Sequence, residues 1–163
     1  MAATYEPIST QTLASAVATV TFSSIPATYT DLVLVASATN ATAGVDSFEI
    51  QFNGDTATNY SYTLLSGNGA TATSSRGSSS AFIISGLSIS GEQYVNIAHI
   101  FNYANTTTYK TVLSRGNVTS SLVRGNVGIW RSTSAITSFL LKNDGGENFA
   151  IGSMFTLYGI KAA

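Results

Sequence analysis

A chain of 163 residues has the length of a single domain, and folding it removes roughly two-thirds of its unfolded surface from water. Seven basic and eight acidic residues make up 9% of the chain, where a soluble domain carries about 25%, and the net charge of −1 offers no field to attract nucleic acid or an anionic membrane. With no cysteine and one histidine, the composition excludes disulfides, thiolate metal sites and a His-pair zinc site.

In chain order, MAATYEPISTQTLASAVATV (1–20) lacks the basic start and compact apolar core of an export signal. It is read as an extension or arm that packs on a partner or on the sheet, with Tyr5 and Pro7 as contact residues. Residues 21–163 are read as one β-sandwich domain. The best helix formers, residues 11–18, have no apolar stripe and no C-cap, and strand signals follow them. DLVLVASAT (31–39) is β-branched and mostly apolar, the pattern of a strand covered on both faces. In VDSFEIQF (45–52), Phe48, Ile50 and Phe52 share one face, with Ser47, Glu49 and Gln51 on the other. NYSYTLL sets Tyr60, Tyr62 and Leu64 against Ser61 and Thr63. QYVNIAHIF puts Val95, Ile97, His99 and Phe101 on one side, which makes His99 a core or interface histidine rather than a catalytic base. LVRGNVGIW (122–130), ITSFLL (136–141) and SMFTLYGI (153–160) complete a set of nine or ten strands. With no crossover of helical length, the fold class is all-β. An antiparallel jelly-roll sandwich of about eight main strands plus the N-terminal extension is the first choice, and an immunoglobulin-like Greek key the second.

Between two strand-like ends, residues 66–80 are almost wholly Gly, Ser, Ala and Thr, with Arg76 the single charge between Asp55 and Glu92. Read as a loop, the stretch costs on the order of 1 kcal/mol per residue to order and buries little in return. A neighbouring subunit is expected to hold it, with Asn68, Ser74 and Ser75 as contacts and Arg76 forked onto a carboxylate or carbonyl. Arg115 and Arg124 open two RGN triplets expected to be related by a hairpin, each arginine beside a turn or bulge glycine. Both join the expected contact residues.

Catalytic constellations are scarce. Asp46 and Glu49 fall on opposite faces of a regular strand, so they do not form the facing carboxyl pair of a glycosidase. No serine lies in a G-x-S-x-G elbow. KNDGGENF gathers Asp144, Glu147, Asn143 and Asn148, either as oxygen ligands for calcium or as a Gly-Gly hairpin turn, and the spacing favours the turn. FNGDTATNY reads as a hairpin connection at Asn53-Gly54 or as an exposed sugar- or receptor-binding loop. No cofactor is expected, and no enzyme activity.

FNGDTATNYSYTLLSGNG and the closing GSMFTLYGIKAA, together with ATYEPISTQTLASAVATVTFSSIPATYTDLVLV, resemble small virion-associated proteins of tailed bacteriophages over almost the whole chain. The resemblance implies an all-β virion structural protein, a homotrimer that decorates or cements the head through the major capsid protein or other virion proteins. Such a protein is assembled in the bacterial cytoplasm. A tail or fibre component that binds a host receptor or glycan, with Tyr60, Tyr62 or Trp130 as stacking platforms, is the rival reading.

Overall fold

The computed structural model describes residues 4–42, 45–89, 91–118 and 122–161. Among them are twelve strands and no helix: β1 (Tyr5–Thr12), β2 (Thr19–Phe22), β3 (Asp31–Ala38), β4 (Val45–Phe52), β5 (Tyr60–Gly67), β6 (Ala72–Ser80), β7 (Ile83–Ile89), β8 (Tyr94–Phe101), β9 (Lys110–Val118), β10 (Leu122–Trp130), β11 (Phe139–Asn143) and β12 (Met154–Ile160). All neighbours pair antiparallel. One sheet has eight strands in the order β1-β12-β3-β8-β9-β10-β5-β6, and the other has four in the order β2-β11-β4-β7. The expected antiparallel β-sandwich is the observed class, with more strands than the nine or ten foreseen. The N-terminal arm is an edge strand of the large sheet, and residues 11–18 leave β1 for a single bridge between Val17 and Phe149.

Alternation explains the layers. Phe48, Ile50 and Phe52 of the small sheet face Leu32, Leu34, Ala98, Ile100, Phe155 and Leu157 of the large one, all with no more than traces of exposure. Phe48, Phe149 and Phe155 pack at one end of this core, with Phe149 and Phe155 centroids 5.0 Å apart. Phe52, Tyr60, Trp130 and Phe139 pack at the other, with Phe52 and Trp130 5.6 Å apart. Burial of rings in such offset arrangements adds to the apolar stabilisation that the aliphatic core residues supply.

Where β7 lies across β8, β9 and β10, the two sheets come close and the interior turns polar. Glycines make the approach possible: a Cβ at Gly128 would stand 2.4 Å from Ile83 Cγ2, and one at Gly86 2.5 Å from Asn96 Nδ2. Ile83 occupies the space that Gly128 leaves, and amides and hydroxyls fill the gap beside it. Asn126 Nδ2 donates to the Ser85 carbonyl at 2.8 Å and to Ser114 Oγ at 3.2 Å, and Ser85 Oγ donates to Asn96 Oδ1 at 2.9 Å. These bonds offset much of the cost of burying the amides, while Asn126 Oδ1 stays buried without a hydrogen-bond partner.

The stretch expected to be a long loop is instead a hairpin. Asn68 Oδ1 accepts from the Ala70 and Thr71 amides, Gly69 takes φ +85°, and β6 pairs with β5 from Gly67–Ala72 to Tyr60–Ser80. Its order comes from backbone hydrogen bonds to β5, which need no side-chain burial. Asn53 and Gly54 do form a turn, with φ of 52° and 67°, but it carries the chain from the small sheet to the large one and joins no hairpin. The Asp144–Glu147 turn likewise links the two sheets. Gly145 N donates to Asp46 Oδ1, and among the described residues no three acidic or histidine side chains converge on a point.

Glu49 lies on the outward side of the small sheet yet is fully buried beneath its neighbours, paired with Lys142 Nζ at 3.0 Å. Burial lifts its pKa from 4.5 to about 7 against the Lys142 contact, which lowers it, and Asp144 adds to the rise. Between pH 4.5 and 7 the folded chain keeps a proton that the unfolded chain has released, so stability falls as pH rises through that window. Glu49→Gln is therefore expected to raise the melting temperature at pH 8 by about 5 °C and to leave it nearly unchanged at pH 4. Parallel pH profiles for the two proteins in calorimetry would refute this assignment.

Candidate functional site

The outward face of the large sheet has the amphipathicity of a core face. On β8, the side carrying Val95, Ile97, His99 and Phe101 points out, while Tyr94, Asn96, Ala98 and Ile100 point in. On β10, Val123, Val127 and Ile129 point out, while Arg124, Asn126 and Gly128 share the inner side with Trp130. On β8 the face expected to be core or interface is therefore the outward one, not core. The reason is the polar pinch beneath β7, which takes the amides and small residues and leaves the branched aliphatics outside.

Register lines these residues up across strands. One row runs Tyr158, Val33, His99, Leu113, Val127, Thr63, Arg76 and the next runs Thr156, Val35, Ile97, Arg115, Gly125, Leu65, Ser74. Leu65 is 63% exposed, Val123 62%, Leu113 50% and Val127 47%. Single exposed aliphatics are ordinary; a contiguous apolar field of this kind marks an interaction site. From β12 to β6 this outer face, its threonines, serine and arginines included, spans about 30 Å by 20 Å, roughly 600 Å² in projection. That is the order of one partner's share, ~800 Å², of a standard protein interface.

Within the field the β5–β6 hairpin rises beside β10 and leaves a trough of about 800 Å³. Leu65, Val123, Val95 and Ile97 form its walls, and Gly125, with nothing within 4 Å of where its Cβ would stand, forms its floor. A smaller hollow of about 310 Å³, lined by Thr63, Val127, Ile129, Arg76 and Arg131, lies on the same side of β5 and β10.

The expected contact residues are divided by this geometry. Ser74, Arg115 and Arg124 line the trough, and Arg76 borders the second hollow. Tyr5 lies on the same face at the opposite edge, edge-on to Tyr158 at 6.4 Å, with exposed Pro7 beside a bulge in β1. Asn68 is spent on the hairpin turn, and Ser75 sits on β6 opposite Leu64. Arg124 belongs to the inner layer: its Nε donates to Ser66 Oγ at 3.1 Å and its Nη1 to the Gly86 carbonyl at 3.2 Å, and burial lowers its pKa. The two RGN triplets are hairpin-related as expected, but their glycines are neither turns nor bulges. Arg115 stands opposite Gly125, which leaves open space beside its guanidinium, and Arg124 opposite Gly116, where a Cβ would already meet the Val95 carbonyl at 2.9 Å. Leu65, Leu113, Val123, Val127 and Ile129 were not among the expected contacts. Strict alternation marks them as one face of β5, β9 or β10, but choosing the outer face requires knowing where β7 crosses.

His99 is half-buried on this face, stacked on Phe101 at 4.0 Å, with Nε2 3.2 Å from Asp31 Oδ2. Asp31 also accepts from the Asn102 amide at 2.7 Å, which fixes the carboxylate in place.

Tyr60 and Trp130 are buried, and both tie down residues 53–59. Trp130 Nε1 donates to Asp55 Oδ2 at 2.7 Å, and Tyr60 Oη donates to the Asp55 carbonyl at 3.0 Å. Burial would raise the Asp55 pKa, but the bonds donated by Asn59, Trp130 and the Ala57 amide outweigh it and hold the carboxyl below its ordinary range. Tyr62 is half-buried and stacked on Phe82. No protein-family model matches the chain, and no curated protein matches it significantly.

Proposed function

We propose that this chain is a structural protein of a tailed-bacteriophage particle, a homo-oligomer, read as a trimer, that decorates or cements the head through protein–protein contacts. The outward apolar face of the large sheet carries this reading. A surface with this many exposed aliphatic side chains and the extent of one partner's share of an interface is suited to being covered by another protein. Low charge suits the same role, because few ionised groups have to be desolvated on contact. The small sheet 2-11-4-7, with β3, β8, β5 and β6 in the same relative order in the large one, accommodates a jelly roll into which the β9–β10 hairpin has been inserted. The edge strand β6 is nine residues long with one charge and no proline, and its free backbone groups suit contact between copies. On this reading the protein acts by contact rather than catalysis, needs no cofactor, and joins the virion in the bacterial cytoplasm.

The rival reading, a glycan-binding tail component, loses two of its three stacking platforms to the core, since Tyr60 and Trp130 are buried. The decisive experiment adds the purified protein to heads of its own phage that lack it. Binding should saturate at a fixed number of copies per head and raise the temperature at which heads burst. Absence of saturable binding would end the head reading, and binding to host-cell glycans instead would favour the rival.

A further inference from the structure

The trough along β10 carries a charge that narrows the identity of what fills it. Arg115 projects from the middle of the apolar field, exposed, with Gly125 across the strand pair leaving open space at its side. Arg76 and Arg131 line the hollow that continues along the same strand. Among the described strand residues of this face, the one carboxylate is Asp31, two strands away and already engaged by His99 and the Asn102 amide. A second copy laid face to face, or three copies closed around an axis through the field, would bring Arg115 towards its own equivalents, and like charges buried together oppose association. A carboxylate from a different chain has no such conflict, and it meets the guanidinium in the forked geometry that arginine prefers.

We infer that the trough is a docking site for an extended segment of another protein, with apolar side chains at alternate positions and one carboxylate that forks onto Arg115. The two hollows together follow β10 for about eight residues, ~26 Å of extended chain. Leu65, Val123 and Val127 receive the apolar side chains, and Gly125 lets the segment's backbone lie close to the sheet. This deepens the proposed function and shares its premise that the face is covered; it adds the chemistry of the covering partner.

The test uses the full-length protein and three fluorescein-labelled octapeptides alternating leucine and threonine, with glutamate, glutamine or lysine at the fourth position. Fluorescence anisotropy should rank glutamate above glutamine by at least about tenfold, as a charge-assisted hydrogen bond implies, with lysine weakest. Arg115→Gln should erase the glutamate preference while leaving the residual apolar binding, and Leu65→Asp should remove binding of all three. No binding by any peptide, or a glutamate preference that survives Arg115→Gln, overturns the proposal. So does a concentration-dependent oligomer that dissociates on Leu65→Asp while the peptides fail to compete, since that assigns the face to a second copy. Head binding without peptide binding would leave the virion role standing and remove this site. Peptide binding without head binding would do the reverse.

Discussion

Changing Leu113 and Val127 together to aspartate is expected to weaken attachment to the particle by at least about a hundredfold while moving the melting temperature by less than about 3 °C. The two residues are direct cross-strand partners on β9 and β10, and each is about half exposed in the isolated chain. Their contribution to folding is correspondingly small, and the main intramolecular cost of the change is repulsion between adjacent carboxylates, about 0.5 kcal/mol. Against a partner the same positions lie inside a dehydrated apolar contact, where two unpaired charges cost several kcal/mol. A control pair, Thr21→Asp with Leu140→Asp, sits at matching cross-strand positions on the small sheet, away from the field. Sedimentation with heads reads attachment, and calorimetry reads folding. If the β9–β10 variant attaches normally, the field is not the contact; if it fails to fold, the field belongs to this chain's own core and its exposure carries no functional meaning.

Sequence patterning reveals the interior where a strand is decided by its own side chains. β4 and β5 show this: aromatic and aliphatic residues on one side face Ser, Thr and Gln on the other, and the observed inner faces are Phe48-Ile50-Phe52 and Tyr60-Tyr62-Leu64. β8 and β10 are different, because both of their faces carry groups fit for burial. Val95, Ile97 and Phe101 outweigh Asn96 and Ala98 in apolar content, yet the latter pair is inside, where Ser85 and Gly86 of β7 meet Asn96. That contact crosses from one sheet to the other and leaves no trace in the alternation of either strand. β6 is hidden for another reason. Its side chains are all small or polar, so hydrophobic alternation gives it no phase, although Asn68-Gly69 has the same turn chemistry as Asn53-Gly54 and marks the hairpin. Of the expected contact residues, Arg115, Ser74 and Arg124 line the trough. The apolar walls that give them a context become visible only once the sheet order is known.

The polar pinch that inverts the large sheet also sets its most sensitive position. Gly125 and Gly128 lie on one strand, three residues apart and on opposite faces, so alanine at each asks opposite questions of the sandwich. At Gly125 an added methyl meets nothing within 4 Å, and the variant gains only the lower chain entropy of alanine, about 0.5–1 kcal/mol, or roughly 1–4 °C in melting temperature. At Gly128 the methyl would stand 2.4 Å from Ile83 Cγ2 and 3.0 Å from both Cγ1 and Cδ1. Ile83 is fully buried and β-branched, with no free rotamer to swing into, so relief has to come from separating the sheets and stretching the Asn126–Ser85 bond. Overpacking of this kind costs about 3 kcal/mol and exceeds the entropic gain, so Gly128→Ala is expected to lower the melting temperature by about 5–10 °C. Ile83→Ala alone leaves a cavity and is destabilising in its own right, but it removes all three clashing atoms. The double variant should therefore be more stable than the sum of the two single losses predicts, by at least about 1 kcal/mol. Strict additivity would mean that the strands do not meet at this point, and the inverted face would lose its physical cause.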